Sequence, residues 1–375
     1  MAIYFLTFIL SSLLFAIGGA ERSRNTSKSS LSICWIIDVV AVALPCVLAG
    51  ARDYGVGTDT TTYGQWLFEV ADSSSNFSAY LAEVNAGIWD VGLTFSLQAY
   101  LSTSIFHSQF WYYFLIELLI IVPIYISIRQ HCSNHLIGLT MFLYFLVFYI
   151  PGLNLMRQMI AVSFSTLAVS MLVRDKLAYY WICSLLGIMF HTTAAIVLVV
   201  FAIVTAMRKR SGSIKVVRKN AKLIGAIVAI IAIFCVLNLQ TVMSAISWIS
   251  DSFDYYSRYA NHSEGEMGNA YYIFISILLV GILLLIKYNK LFNDFNCILL
   301  TCIIAFSAIL YSMGSYLEAV SRMSYYGLAP MVLILAIVFN NYKNRLVLNS
   351  GLILVFVACV IQFSWVYVAQ GSHEA

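Results

Sequence analysis

The chain has 375 residues, of which 61% are apolar and only 10% are charged, and its mean hydropathy is +0.88. A soluble domain carries roughly 25% charged residues and does not need one apolar run of about 20 residues after another. The composition therefore excludes a soluble globular protein and predicts an all-α, polytopic membrane protein. The formal net charge of +4 is uninformative until the charges are divided between the two membrane faces.

About twelve apolar runs have a length suited to transmembrane helices. They cover residues 2–19, 31–50, 110–128, 136–150, 153–173, 177–190, 192–207, 223–240, 270–286, 296–313, 324–340 and 346–368. The segment 86–106 is apolar on one side but carries Asp90 and Gln98, which predicts an amphipathic or re-entrant helix. No repeat or soluble domain is visible, so residues 1–375 are expected to form a single integral membrane domain.

The positive charges predict the orientation of the chain. The loop 208–222 carries seven lysine and arginine residues, which predicts that it is cytoplasmic. Successive loops must lie on opposite membrane faces. Counting from the loop 208–222 therefore places the other basic loops on the cytoplasmic side and the long loops 51–109 and 241–269 on the outer side. The positive residues left outside are all arginine: Arg52, Arg157, Arg258 and Arg322.

Lysine and arginine are normally enriched in cytoplasmic loops, so arginine at the outer membrane surface indicates a specific role. A guanidinium offers two parallel N–H donors to a phosphate, which predicts a site for a dense anion such as a pyrophosphate. The alternative is local pairing of Arg52 with Asp53, of Arg258 with Asp254 and of Arg322 with Glu318. Arg157 has no acidic residue nearby in sequence and is followed by Gln158 on an apolar span.

The polar stretch 52–63 follows the second apolar run and holds two glycines and four threonines beside Arg52 and Tyr63. It can form an ordinary glycine turn or a backbone N–H cradle for an anion or a sugar. Asp59 can act as a base, hold an arginine or cap a helix. His191 lies at the turn between two short spans and has the intrinsic pKa of a general base, although a single membrane histidine can also be structural.

No pair of histidines or cluster of carboxylates has metal-ligand spacing, so we predict no metal site and no cofactor. The eight cysteines form no CxxC pair and, except for Cys132, lie within apolar runs. We therefore expect them to be small buried hydrophobes.

Four pieces of the chain resemble the EpsG family and, more broadly, the Wzy-type polymerases of bacterial O-antigen and capsule synthesis. The first two are Arg52…Gly57-Thr58-Asp59…Tyr63 and Asn154-Leu155-Met156-Arg157-Gln158. The others are Phe190-His191-Thr192-Thr193-Ala194 and Ser321-Arg322…Tyr325. After Trp89 the family pattern has a Glu-Gly pair, whereas this chain has Asp90-Val91-Gly92.

The resemblance implies a glycosyltransferase C-like fold in the bacterial inner membrane, with an active site facing the periplasm. It implies transfer of a growing glycan from undecaprenyl pyrophosphate onto a new lipid-linked repeat unit, without a metal. The arginines, Gln158, Tyr63 and Tyr325 would bind the substrate, and His191 or Asp59 would be the base. A lateral opening for the lipid tails is expected, a chain-length regulator is a further candidate partner, and no nucleic acid is expected.

Two other classes fit parts of the pattern. A flippase or secondary transporter for the same lipid-linked sugar would favour charges at the membrane midplane and internal repeats, whereas here the unusual charges gather on one side. An O-antigen ligase or acyltransferase has a similar topology, and a ligase has the same pyrophosphate leaving group.

Overall fold

The computed structural model describes residues 2–24, 28–87, 91–209, 269–291, 294–313, 318–341 and 345–369. Within these ranges the chain is helical and contains no strand. The first helices are α1 (Ala2–Arg24), α2 (Lys28–Gly50), α3 (Gln65–Ser73), α4 (Phe77–Ala86), α5 (Leu93–Phe106), α6 (Gln109–His131), α7 (Ile137–Asn154), α8 (Met156–Val173), α9 (Leu177–Phe190) and α10 (Ile196–Lys209). The later ones are α11 (Asn269–Tyr288), α12 (Phe295–Met313), α13 (Glu318–Leu328), α14 (Met331–Asn340) and α15 (Arg345–Ala369).

Helices long and apolar enough to cross a membrane number six among the described residues: Ala2–Arg24, Ser32–Gly50, Gln109–His131, Asn134–Asn154, Met156–Val173 and Arg322–Asn340. Shorter apolar helices cover Leu177–Phe190, Thr192–Thr205, Ile273–Lys287, Phe295–Ala308 and Ser350–Val366. This confirms a helical protein embedded in a membrane, while a count of twelve crossings stays a prediction. The predicted span 223–240, most of the basic loop 208–222 and nearly all of the loop 241–269 lie outside the described residues.

The chain divides into two compact units. The first comprises residues 1–197, 335–341 and 359–375, and the second comprises residues 198–334 and 342–358. In the first unit α1 packs on α2, α2 on α6, α6 on α8 and α8 on α9, while α7 lies against α1, α6 and α8. The short helices α3, α4 and α5 pack on one another, and α5 also contacts α6 and α9. In the second unit α12 packs on α11 and α13.

A proline inside α2 shows how the apolar bundle satisfies its backbone. Pro45 has no N–H to donate to the carbonyl of Ala41, one helical turn earlier. The Ser11 hydroxyl of α1 donates to that carbonyl at 2.7 Å. In a hydrocarbon environment an unpaired carbonyl is costly, so this bond lets α2 tolerate its proline and ties it to α1.

The helix expected between residues 86 and 106 is present as α5, which begins after Gly92 with a φ of 73°. Its outward face is Leu93, Leu97, Leu101 and Ile105, whereas its buried face includes Ser96, Ser102 and Thr103. An apolar outward face over a more polar inner one is the pattern of a helix that faces lipid rather than water. Whether α5 re-enters the membrane stays a prediction, and Asp90 lies outside the described residues.

Most of the cysteines are buried, as the sequence predicted. Cys34, Cys46, Cys132, Cys183, Cys297 and Cys359 are buried and form no disulfide, whereas Cys302 is exposed on α12. The prediction of burial is therefore wrong for Cys302, and Cys235 lies outside the described residues.

Candidate active site at the break between α7 and α8

The polar stretch 52–63 docks on the point where α7 ends and α8 begins. The helices are separated by Leu155 alone, whose φ of −130° and ψ of 53° interrupt the helical backbone. The Thr58 hydroxyl donates to the carbonyl of Asn154 at 2.9 Å, and the Thr58 amide faces the Asn154 side-chain oxygen at 3.4 Å. The loop thus donates hydrogen bonds to both the backbone and the side-chain oxygen of Asn154, the last residue of α7.

Gly57 makes this docking possible. Its φ is +95°, and a Cβ built on it would stand 2.4 Å from the carbonyl oxygen of Leu153. A non-glycine residue would meet both a disfavoured backbone conformation and a collision with main-chain atoms. The glycine in the Gly57-Thr58-Asp59 piece is therefore required by the approach of the loop to α7.

Arg52 points into the protein and is held by non-acidic groups. Its guanidinium carbon lies 3.8 Å from the centroid of the Tyr113 ring on α6, and its Nη2 contacts the Met156 sulfur of α8 at 3.0 Å. It makes no ion pair with any described carboxylate, and its buried Nε has no hydrogen-bond partner. The alternative pairing of Arg52 with Asp53 is therefore wrong, since Asp53 is exposed in the turn that leads to Val56.

The charge of Arg52 is only partly compensated. Burial lowers the pKa of the Arg52 guanidinium from its usual value, while the neighbouring Tyr113 and then Glu117 act in the opposite direction. Glu117 is a buried carboxylate one turn further along α6, and a Cβ on Gly152 would stand 3.6 Å from its Oε2. No salt bridge joins Glu117 to Arg52 among the described residues.

Asp59, Tyr63 and Arg157 form the second part of the site. Residues Thr60–Gly64 adopt a π-helical turn, a wide turn that often occurs at functional sites. Through it Tyr63 is buried, and its hydroxyl donates to the Asp59 carboxylate. Burial, followed by the charge of Asp59, raises the pKa of Tyr63 well above its usual value, so the hydroxyl stays protonated. The Arg157 guanidinium carbon lies 5.2 Å from the centroid of the Tyr63 ring.

The structure thus brings Arg52, Asp59, Tyr63 and Arg157 to one place, where the loop meets the first turn of α8. Gln158 is the next residue of α8 and is buried. Thr60 and Met156 belong to pieces already identified from the sequence, whereas nothing in the sequence pointed to Tyr113 as a member of this cluster. Tyr113 belongs to the run Trp111-Tyr112-Tyr113, which reads as an ordinary interfacial belt, and only the packing of α6 on α8 brings it to Arg52.

His191 ends α9 at the same end of the α8–α9 pair. The two helices are antiparallel, and a Cβ on Gly187 would stand 3.3 Å from the carbonyl of Ala161, which puts His191 near the level of the first turn of α8. The His191 Nδ1 accepts from the Thr193 backbone N–H at 3.4 Å and lies 2.7 Å from the Thr193 hydroxyl. A backbone N–H can only donate, so the neutral ring carries its proton on Nε2.

An apolar groove of about 360 Å³ reaches Phe190, the residue that precedes His191. It runs between α5, α6 and α9 and is lined by Leu97, Leu101, Ile105, Leu115, Leu118 and Phe190, among others. Gln98 also lines it, and the side-chain oxygen of Gln98 is buried without a hydrogen-bond partner. The groove therefore offers a mostly apolar surface with three polar residues, Thr94, Gln98 and Ser102, and it ends at the residue before the predicted base.

The remaining predicted site residues belong to other parts of the chain. Arg322 and Tyr325 lie on α13 in the second unit, where Arg322 is exposed and Tyr325 is buried. Their meeting with Arg52 and Arg157 stays a prediction, and Arg258 lies outside the described residues. Within the described ranges, no three His, Cys, Asp or Glu side chains are placed to hold a metal ion.

Fold and site together define a helical membrane protein with a buried arginine-lined polar site at a broken helix. The family model of the EpsG family matches residues 35–373, and the chain belongs to that family. Membership suggests a role like that of a polysaccharide polymerase. No curated protein and no solved structure matches the chain.

Proposed function

We propose that this protein is a polysaccharide polymerase of the Wzy type. It transfers a growing glycan from undecaprenyl pyrophosphate onto the non-reducing sugar of a new lipid-linked repeat unit. The observation that carries the proposal is the environment of Arg52: a buried guanidinium on an aromatic ring, with an unpartnered Nε and no carboxylate partner among the described residues. An anionic ligand is the partner that such a group lacks.

The leaving group of this reaction is a lipid pyrophosphate, on which negative charge develops as the glycosidic bond breaks. Arg52 and Arg157 supply fixed positive charge at one place, and the predicted Arg258 and Arg322 would add to it. Preorganised donors of this kind stabilise a developing oxyanion without a metal. Gln158, Tyr63 and Tyr325 are the proposed neutral contacts of the substrate.

The acceptor hydroxyl needs a base. Either Asp59 or His191 takes that role, and the other contacts the substrate. Asp59 already accepts from Tyr63, which fixes the carboxylate next to Arg157. His191 in its Nε2–H form is a donor, and it becomes a base only when the ring exchanges its tautomer or breaks its bond to Thr193. The present geometry favours Asp59 as the base and His191 as a donor to the substrate.

The apolar groove between α5, α6 and α9 fits the undecaprenyl tail of the proposed substrate. Its outward-facing leucines accept an isoprenoid chain directly from the bilayer, which supports the expected lateral opening. The distribution of lysine and arginine supports a cytoplasmic 208–222 loop and therefore a periplasmic site in the inner membrane. A glycosyltransferase C-like fold and a chain-length regulator as partner belong to the same proposal.

The alternatives are a flippase for the lipid-linked sugar and an O-antigen ligase. The test is a strain in which the gene is deleted and the surface polysaccharide is separated by gel electrophoresis. Loss of a polymerase leaves lipopolysaccharide capped with a single repeat unit, whereas loss of a flippase or a ligase leaves no capped species. A deletion strain with polymer of normal length and amount overturns the proposal.

A further inference from the structure

A second group of arginines lies at the end of the first unit opposite the candidate site. Tyr113 of the candidate site lies near the start of α6, whereas Arg129 lies near its end. Asp38 of α2 accepts hydrogen bonds from Arg22 of α1 and from the Tyr125 hydroxyl of α6. The Arg129 guanidinium carbon lies 6.0 Å from the centroid of the same Tyr125 ring. Two guanidinium groups therefore lie on either side of one tyrosine, near one carboxylate.

Arg129 is the member of this group that lacks a carboxylate partner. Among the described residues it forms no ion pair, and Asp38 is already bonded to Arg22 and Tyr125. Its guanidinium carbon instead lies 4.2 Å from the centroid of the Trp35 ring of α2. A guanidinium that packs on an indole is held in place and can still offer its N–H groups to an oxygen anion.

The charges in this group do not balance. Arg22 and Arg129 carry two positive charges, whereas Asp38 supplies one negative charge. The Arg22 side chain is nine-tenths buried, and its Nη1 has no hydrogen-bond partner. Glu21, which precedes Arg22 on α1, forms an ion pair with neither arginine. A ligand at Arg129 is therefore expected to be an anion.

The side of α2 that carries Trp35 is apolar and open to the bilayer. Trp35 is 53% exposed, and Ile36, Val39 and Val40 are exposed on the following turn. Tryptophan at the end of a membrane helix lies at the level of the lipid headgroups, and the apolar residues beyond it face the acyl chains. A lipid whose chains lie along these residues places its phosphate beside Arg129.

We infer that Arg129 and Trp35 bind the headgroup of an anionic phospholipid in the leaflet opposite the candidate site. The phosphate accepts hydrogen bonds from the Arg129 guanidinium, and the charge of Arg22 adds to the attraction. A zwitterionic lipid fits less well, because its ammonium group would lie near two cations. Arg22 and Arg129 belong to the basic, cytoplasmic side of the chain, and basic pockets between helices on that side bind anionic headgroups.

The test measures lipid binding to the full-length protein, purified in a mild detergent, by native mass spectrometry. Phosphatidylglycerol and phosphatidylcholine with identical acyl chains are compared, and glycerol phosphate represents a free phosphate. The variants are Arg129→Gln and Trp35→Leu. Arg174→Gln is the matched control, since Arg174 lies at the same end of the bundle but donates to the Gln130 carbonyl at 3.3 Å.

We expect the wild type to prefer phosphatidylglycerol over phosphatidylcholine. Arg129→Gln should weaken phosphatidylglycerol binding about tenfold, as for loss of a hydrogen bond to a charged group. Trp35→Leu should weaken it about threefold through loss of the cation–π contact. Arg174→Gln should bind normally. Added phosphatidylglycerol should also raise the thermal unfolding midpoint of the wild type and of Arg174→Gln, but not that of Arg129→Gln.

Equal binding of the two lipids by the wild type overturns the inference, as does an equal loss in Arg129→Gln and Arg174→Gln. Binding of glycerol phosphate as tight as that of phosphatidylglycerol also overturns it, because a free phosphate would then be the ligand. Trp35→Leu keeps every charge and decides the question if Arg129→Gln does not fold. The polymerase proposal is tested separately by the deletion strain and does not depend on these results.

Discussion

Two arginines of the first unit lie beside α2, one at its middle and one just beyond its C-terminal end, and they have opposite surroundings. Arg22 forms an ion pair with Asp38 of α2, and Tyr125 of α6 donates to the same carboxylate. Arg52 lies two residues beyond Gly50, the end of α2, which is about 18 Å from Asp38 along the helix axis at 1.5 Å per residue. It has a ring and a thioether in place of a carboxylate.

The comparison separates a structural arginine from a binding one. The Arg22 charge is matched inside the protein, although one of its Nη atoms still lacks a partner. Arg52 makes no ion pair with a carboxylate in the described part of the chain. We therefore expect changes at Arg22 and Asp38 to alter stability, and changes at Arg52 to alter activity.

The largest expected effect is on stability. Asp38→Ala leaves Arg22 buried and unpaired, and breaking a buried ion pair from one side costs about 3–5 kcal/mol. The free energy of unfolding, measured in mixed micelles, should fall by that amount, and the double variant Arg22→Met/Asp38→Leu should recover most of it. Asp53→Ala is the control, because the exposed Asp53 does not pair with Arg52. Equal losses at Asp38 and Asp53 would remove the distinction between the two arginines.

The next effect is on the reaction. Arg52→Lys and Arg157→Lys keep the charge but lose the planar pair of donors. Removing one preorganised donor typically lowers a rate by about 10²–10³-fold. Polymer synthesis from a purified lipid-linked repeat unit should fall by this factor, with the unfolding midpoint unchanged. Near-normal rates in both variants would sink the pyrophosphate role of these side chains.

His191 has both a structural and a proposed functional role. Its Nδ1 caps the following turn by accepting from the Thr193 N–H, while the imidazole is proposed to act on the substrate. His191→Asn keeps an acceptor for the cap, whereas His191→Ala removes it at a cost of about 1 kcal/mol. Both should lower the polymerisation rate by about 10²-fold or more. Only the alanine variant should lose stability. Full activity in His191→Asn would reduce the histidine to a cap.

Substitution of Gly57 tests whether the docking of the stretch 52–63 on α7 is required for the site. Gly57→Ala should cost about 1–2 kcal/mol for the positive φ alone and more for the contact with Leu153. Gly92→Ala is a matched control, since Gly92 also has a positive φ of 73° but nothing within 4 Å of an added Cβ. Activity should fall in Gly57→Ala and persist in Gly92→Ala. Equal behaviour would show that the contact with Leu153 is unimportant.

The smallest effect is expected at His107. Its ring lies 2.8 Å from the Asp72 carboxylate, but both side chains are exposed to a large extent, at 68% and 44%. Exposed ion pairs contribute about 0–1 kcal/mol. His107→Gln should therefore change neither the free energy of unfolding beyond 1 kcal/mol nor the polymerisation rate. A larger loss would mean that this contact holds α3 and α5 in place.

Hydrophobic runs predicted the helices well, because a membrane imposes length and apolarity on every crossing. Every predicted span within the described residues is helical. The break between α7 and α8 was predicted between residues 150 and 153 and lies at Leu155. Length alone also could not decide whether a 14-residue helix such as α5 crosses, re-enters or lies flat.

The candidate site was predicted in part for a physical reason. Charged and glycine-rich pieces stand out against an apolar chain, so Arg52, Asp59 and Arg157 were identified from their own chemistry. Tyr113 resembles other aromatic residues near the ends of spans, and only the packing of α2 on α6 shows that its ring lies against Arg52. The alternative in which Arg52 pairs with Asp53 was wrong because neighbours in sequence can point apart, and the Arg52 side chain turns inward toward Tyr113 and Met156.

The bond between Thr58 and Asn154 joins residues 96 positions apart, and this distance has a consequence for biosynthesis. The ribosome makes the arginine loop long before it makes the helices on which the loop rests. Until Asn154 and Met156 have entered the bilayer, Arg52 has neither its thioether contact nor its neighbour Arg157. The polar site around Arg52 therefore forms only after insertion has passed the start of α8.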